Sequence, residues 1–154
     1  TTDTSTEGTA DLSSEGNPVP LPYNGKYNSY TSAQRPATLR VKASGDTNFF
    51  VKLAYPGNKS ATMTMFVRAG QTAEMEVPLG TFEIRYATGD VWYGEQRLFG
   101  HDTIYNKADS LFEFEQNVTN TSTGQTIETT GIEVTLYKVA GGNLSTRRIS
   151  KDQF

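Results

Sequence analysis

The chain has 154 residues, a length that fits one domain, with a net charge of -3 and a pI of about 5.2. This mild acidity excludes a strong attraction to nucleic acid or an anionic membrane, and no apolar run approaches the roughly 20 residues that span a bilayer. The absence of cysteine excludes disulfides, thiolate metal ligands and thiol nucleophiles.

Residues 1–34 differ in composition from the rest of the chain. The first sixteen are almost all Thr, Ser, Asp, Glu and Gly, so they bury too little apolar surface to offset their ordering entropy. Pro18, Pro20 and Pro22 follow and favour an extended spacer. The segment is therefore a flexible linker, or an arm that adds a strand to a neighbouring subunit. The contact residues we predict for such an arm are Val19, Leu21, Tyr23 and Tyr27.

Residues 35–154 predict one β-domain, because apolar and polar residues alternate with period two and turn signals recur about every ten residues. The apolar positions include Leu39, Val41, Phe49, Val51, Leu53, Tyr55, Met63, Met65, Val67, Ala73, Met75, Val77, Phe82, Ile84, Tyr86, Phe112, Phe114, Ile132, Val134 and Leu136. We expect an all-β fold, an antiparallel β-sandwich of seven or eight strands with an extended N-terminal arm. One face of each sheet is expected to stay in contact with water.

The stretch Gly70–Tyr86 resembles a hairpin of carboxypeptidase-regulatory-like, or prealbumin-like, sandwich modules. In those modules a strand ends in a turn like Val77-Pro78-Leu79-Gly80, and the next strand begins with an aromatic and an aliphatic residue, here Phe82 and Ile84. The resemblance implies a sandwich with a structural or binding role, and it transfers no functional residue.

Residues 90–109 interrupt the strand pattern and contain the single Trp and the single His of the chain. Irregular connections over a rigid scaffold often carry function. Trp92, Tyr93 and Tyr105 are candidates for a flat platform that stacks on a sugar. The alternative is that Trp92, with Leu98 and Phe99, covers one end of the core.

Residues 119–130 are nearly all polar around Gly124 and predict a long polar hairpin or loop. Four glycosylation sequons occur in the chain, all at expected turns or loops. Their acceptor residues are Asn58, Asn117, Asn120 and Asn143.

No residue pattern predicts catalysis, a metal site or a cofactor. His101 and Asp102 invite a triad with Ser110, but no nucleophile-elbow motif accompanies them. A metal site around His101 lacks a calcium-loop pattern. Glu113 and Glu115 lie two apart on one strand face, as expected for a solvated face rather than for two glycosidase carboxylates across a cleft.

The first functional hypothesis is a non-catalytic structural or assembly protein of the cell exterior, a homo-oligomer or polymer joined through its arm as in a filament or surface layer. The alternative is a carbohydrate- or protein-binding module on a Ser/Thr/Pro-rich stalk. Neither hypothesis involves nucleic acid or a membrane-spanning segment. An extracellular or cell-surface location is expected from the Thr-, Ser-, Asn- and Tyr-rich composition and the sequons.

Overall fold

The computed structural model describes residues 16–138 and 145–154, and these form an almost entirely β structure. Twelve strands lie within the described residues: β1 (Tyr27–Ser29), β2 (Ala37–Ala43), β3 (Asn48–Ala54), β4 (Met63–Val67), β5 (Thr72–Val77), β6 (Gly80–Gly89), β7 (Ile104–Ala108), β8 (Phe112–Phe114), β9 (Gln116–Thr121), β10 (Gly124–Thr129), β11 (Gly131–Leu136) and β12 (Thr146–Ile149). Two single-turn 3-10 helices cover Gly100–Asp102 and Lys151–Gln153. No helix in the described ranges is long and apolar enough to cross a membrane.

The strands form two main sheets and a separate hairpin. The large sheet has the order β1-β4-β3-β6-β7-β12, with β8 also pairing with β6, and all its pairs are antiparallel. The small sheet has the order β11-β2-β5, in which β2 and β5 are antiparallel and β11 runs parallel to β2. Strands β9 and β10 pair only with each other.

The two main sheets enclose one core, which confirms the all-β sandwich and the alternation read from the sequence. Side chains from β2, β5 and β11 of the small sheet pack against one face of the large sheet, here called its inner face. The largest fully buried side chains of this core include Tyr86, Phe49, Phe82, Phe114 and Leu39. Each such side chain contributes about 1.5–3 kcal/mol to folding by leaving water.

We call the other face of the large sheet its outer face. The sequence predicted that this face would stay in contact with water, but it carries a buried apolar cluster. Phe66, Phe50, Ala87, Tyr105 and Ile149 are cross-strand neighbours that form an apolar row over five strands. Trp92, Leu98 and Phe99, here called the aromatic lid, belong to the same buried cluster as this row. The prediction of one wet face was wrong for this sheet, because a loop supplies apolar side chains that no strand alternation reveals.

The link between β5 and β6 does not form the predicted hairpin. Strand β5 pairs with β2 in the small sheet, whereas β6 lies at the centre of the large sheet between β3 and β7. Pro78 and Leu79 therefore carry the chain from one sheet to the other. A proline between two strands is compatible with either arrangement, so the dipeptide alone could not distinguish them.

The expected seven or eight strands compare with twelve in the described structure. The additional strands lie mainly where the alternation was weak: β7 in the irregular stretch after Asp90, and β9 and β10 in the polar segment. Strand β1 has three residues, too short to show a period, whereas β8 is a strand that the alternation of Phe112 and Phe114 predicted.

Candidate functional site

The described part of the N-terminal arm lies along the edge of its own large sheet. Strand β1 pairs antiparallel with β4, with Tyr27 opposite Met65 and Ser29 opposite Met63. The pairing continues beyond β1, since the Gly25 amide donates to the Phe66 carbonyl at 2.8 Å. The arm thus completes the hydrogen bonding of β4, which would otherwise be an open edge strand.

The proline-rich part of the arm is held by main-chain groups and one arginine. The Val19 amide donates to the Trp92 carbonyl at 2.9 Å. The Arg68 guanidinium donates to the carbonyl oxygens of Leu21 and Pro22, at 3.2 and 2.8 Å. Prolines lack an N–H group, so this segment binds mainly through acceptors.

Most arm side chains contribute little buried surface. Leu21 packs against the cluster of the outer face. Val19, Tyr23 and Tyr27 remain exposed, and Tyr23 keeps 67% of its surface in solvent. Main-chain hydrogen bonds and the side-chain amides of Asn24 and Asn28, rather than apolar burial, therefore attach the arm to the rest of the domain.

The linker between β1 and β2, residues 30–36, joins the arm to the sandwich. It carries the chain from the edge of the large sheet to the centre of the small sheet. Ser32, Ala33 and Gln34 are exposed in its middle. The length of such a short exposed connection determines whether an arm can reach the sheet of its own copy or only that of another copy.

The three residues predicted as a sugar platform do not share one exposed face. Trp92 is only 4% exposed, and its ring lies 5.0 Å from Phe66 and 5.2 Å from Phe99 between ring centroids. Tyr105 and Tyr93 line two different cavities. The Trp92 ring therefore occupies the position that the sequence analysis gave as the alternative, a cover over buried apolar side chains.

A cleft of about 580 Å³ lies on the outer face between the arm, the loop that carries the aromatic lid (the lid loop) and residues 151–154 (the C-terminal segment). Its aromatic lining consists of Tyr30, Phe50, Tyr105 and Phe154. The volume lies in the range of small-molecule sites, which combine apolar walls with a few polar groups. Sequence alternation placed Phe50 on a wet face and therefore missed this cleft.

Lys52 is the polar residue of the cleft whose pKa differs most from its ordinary value. Burial, followed by repulsion from Arg85 and Lys59, lowers its pKa from 10.5 to about 8. Its ammonium donates to the Phe154 carbonyl and lies 4.1 Å from the centre of the Phe154 ring. Lys52 thus holds the C-terminal segment against the sheet.

Two buried tyrosine hydroxyls have a pKa above the ordinary value. Burial raises the pKa of Tyr86, which lies in the core, and of Tyr105, which lines the cleft. Neither hydroxyl therefore supplies a phenolate near neutral pH.

The predicted polar hairpin is present as β9 and β10, and it packs on neither sheet. Almost all of its residues are exposed on both faces. Val118 and Ile127 lie opposite each other and are 53% and 56% exposed. An isolated two-stranded hairpin is only marginally stable in water.

The sequon residues fall on exposed parts of the described chain. Asn58 lies in an exposed turn, while Asn117 and Asn120 lie on strand β9 rather than in a loop. Asn143 lies outside the described residues. The exposed positions leave room for a sugar at Asn58, Asn117 and Asn120.

The residues considered for catalysis or metal binding are not gathered into one centre. His101 and Asp102 lie in a 3-10 turn beside a cavity of about 360 Å³. In the described parts of the chain, no group of three or more His, Asp or Glu side chains is arranged to hold a metal ion. Glu74 pairs with Arg40 and receives a hydrogen bond of 2.6 Å from its Nε.

The comparisons with known proteins found no relative: no protein family, curated protein or solved structure matches this chain.

Proposed function

We propose that this protein is a non-catalytic structural subunit of the cell exterior, and that copies of it join when the arm of one binds the β4 edge of another. The observation that supports the proposal is the arm itself. It occupies an edge strand through main-chain hydrogen bonds, while its side chains remain largely exposed. The same hydrogen bonds can form with the arm of a neighbouring copy, as in donor-strand complementation.

The geometry of the linker supports exchange between copies. Residues 30–36 connect two different sheets, so a small change in their length alters whether the arm reaches its own β4 edge. When the arm cannot reach the β4 edge of its own copy, that edge stays open. The free arm can then pair with the open β4 edge of another copy. A contact of this head-to-tail kind generates a chain unless the rotation between subunits closes a ring.

Linker length provides the test. Deleting Ser32, Ala33 and Gln34 should prevent the arm from reaching its own sheet and shift the distribution of the protein further towards dimers and larger chains than in the full chain. Inserting three Gly and Ser residues at the same point is the control and should favour the monomer. Light scattering after size-exclusion chromatography at several protein concentrations measures both variants.

Two further measurements can contradict the proposal. A variant that lacks residues 1–34 should stay monomeric and should bind a synthetic peptide of residues 16–30, whereas a variant that lacks residues 1–15 should behave as the full chain. The proposal is wrong if the deletion of the three linker residues leaves a monomer at all concentrations. It is also wrong if the variant without the arm assembles like the full chain.

A second candidate function, binding of a small ligand or glycan, is favoured by the cleft of about 580 Å³. Tyr30 and Tyr105 would provide aromatic contacts there, in place of the buried Trp92. A glycan should then change Trp92 fluorescence, because Trp92 lies 5.7 Å from the cleft residue Phe50 between ring centroids. The Tyr30→Ala variant should lose the response and remain folded.

A further inference from the structure

The outer face of the large sheet carries a second cross-strand row, two residues away from the apolar row. Lys52 on β3 lies opposite Arg85 on β6, Arg85 opposite Lys107 on β7, and Lys107 opposite Arg147 on β12. Directly opposite residues in an antiparallel pair share a face and lie about 5 Å apart, so like charges there repel each other. We call these four residues the cationic row.

The surrounding carboxylates neutralise the positive charge of the cationic row only in part. Glu83 lies with one oxygen 2.8 Å from Arg85 Nη2 and with the other 3.5 Å from Lys107 Nζ. Lys59, beside the row, donates to the main-chain carbonyl of Asp152 at 2.6 Å. Lys59 and the row provide five positive charges, against the carboxylates of Glu83 and Asp152. The region is therefore positive on a chain whose net charge is -3.

A cavity of about 230 Å³ opens over this excess charge. It is lined by Lys59, Arg85, Lys107, Arg147 and Asp152, together with Ile149 and Gln153. It is separate from the cleft of about 580 Å³, although residues of the C-terminal turn line both.

Arg85 lines the cavity with a buried guanidinium whose Nη1 donates to the Asn58 carbonyl at 3.2 Å and whose Nη2 pairs with Glu83. The residue is 7% exposed, and its Nε has no hydrogen-bond partner in the described part of the chain. The buried charge of Arg85 is therefore only partly compensated, and an anion in the cavity would be attracted to it without touching Nε. The Arg147 side chain, by contrast, is exposed and has no ion pair or side-chain hydrogen bond among the described residues, so it is available to an anion.

We propose that this cavity binds an oxyanion, either a free inorganic ion or the sulfate or carboxylate group of an acidic saccharide. The exposed Arg147 guanidinium supplies planar donors that match oxyanion geometry, and Lys59, Lys107 and buried Arg85 supply positive charge. The carboxylate of Asp152 lines the same cavity and lowers the excess charge without cancelling it. The inference is independent of the assembly function.

Titration of the full chain with sodium sulfate tests the proposal, with sodium chloride of equal ionic strength as the reference. The NMR signal of the Arg85 Nε–H group should shift and saturate with sulfate. Arg147→Gln and Lys59→Gln remove exposed cations and should each weaken binding about tenfold. Arg148→Gln is the matched control, because Arg148 lies on the same strand but opposite Asn106, on the inner face. It should bind sulfate like the unmodified chain.

A competing titration distinguishes a free inorganic ion from an acidic saccharide as the ligand of the cavity. Binding of a tetragalacturonate or a sulfated oligosaccharide at least tenfold tighter than sulfate assigns the cavity to an acidic saccharide. A weaker effect of both oligosaccharides, with saturable sulfate binding, assigns it to a free inorganic ion. The proposal is overturned if the Arg85 signal does not saturate, or if Arg148→Gln weakens binding as much as Arg147→Gln.

Discussion

The substitution Gly89→Ala tests the packing of the aromatic lid on the outer face. Gly89 ends strand β6, and its backbone does not require a left-handed conformation, so alanine is acceptable there on backbone grounds. A Cβ atom at this position would lie 2.5 Å from Phe99 Cγ and closer still to Phe99 Cβ. The root of the Phe99 side chain cannot rotate away, so the lid loop itself must move.

The expected loss of stability follows from that contact. Overpacking in a well-filled core costs about 1–3 kcal/mol, and we expect the upper part of this range because no rotamer change relieves the contact. Gly131→Ala is the matched control, since Gly131 begins strand β11 and an added Cβ there has no neighbour within 4 Å. It should change stability by less than about 0.5 kcal/mol or stabilise slightly.

Urea unfolding followed by the fluorescence of Trp92 measures both variants, because this single Trp lies 5.2 Å from Phe99 between ring centroids. In a thermal scan followed by the same fluorescence, the lost stability should appear as a fall in melting temperature of about 2–4 °C per kcal/mol. Combining Gly89→Ala with Phe99→Gly should cost no more than Phe99→Gly alone. If Gly89→Ala matches Gly131→Ala, or if the two costs add, the close contact between Gly89 and Phe99 does not exist.

Two predictions concern the charged groups of the outer face. The pKa of Lys52 is about 8 in the folded chain and 10.5 as its ordinary value, so between these values the unfolded chain binds more protons and stability rises with pH. Since the side chain is partly exposed, we expect a rise of about 1 kcal/mol between pH 8 and 10, absent in Lys52→Gln, by urea unfolding. Glu83→Gln should lower stability by about 3 kcal/mol, because it leaves buried Arg85 without its counter-charge. Exposed Glu113→Gln should change little in the same assay, and an equal loss in both variants would contradict the buried ion pair.

The inner core could be predicted from the sequence because one periodicity determines it. Met63, Met65 and Val67, for example, alternate with period two, and all three are fully buried between the sheets. The outer face could not be predicted in the same way. Phe50 and Phe66 occupy positions that alternation assigns to water, and the lid that covers them lies in a loop without a period.

The candidate sites depend on strand register, which the sequence does not reveal. Lys52, Arg85 and Lys107 are distant in the chain and each resembles an ordinary solvated position. They become neighbours only when β3, β6 and β7 pair in one particular alignment. The placement of the arm has the same origin, since strand β1 has three residues and no detectable alternation.

The hairpin of β9 and β10 is a part of the chain whose sequence can be changed, by engineering or in evolution, without altering the core. Because the hairpin contributes to neither core, its residues can change, and its tip can accept inserted peptides, with little effect on the sandwich. A protease that cuts at Thr123 should leave the remaining sheets intact. The same region is therefore a natural position for an epitope or a fluorescent label that reports on the molecule without disturbing it.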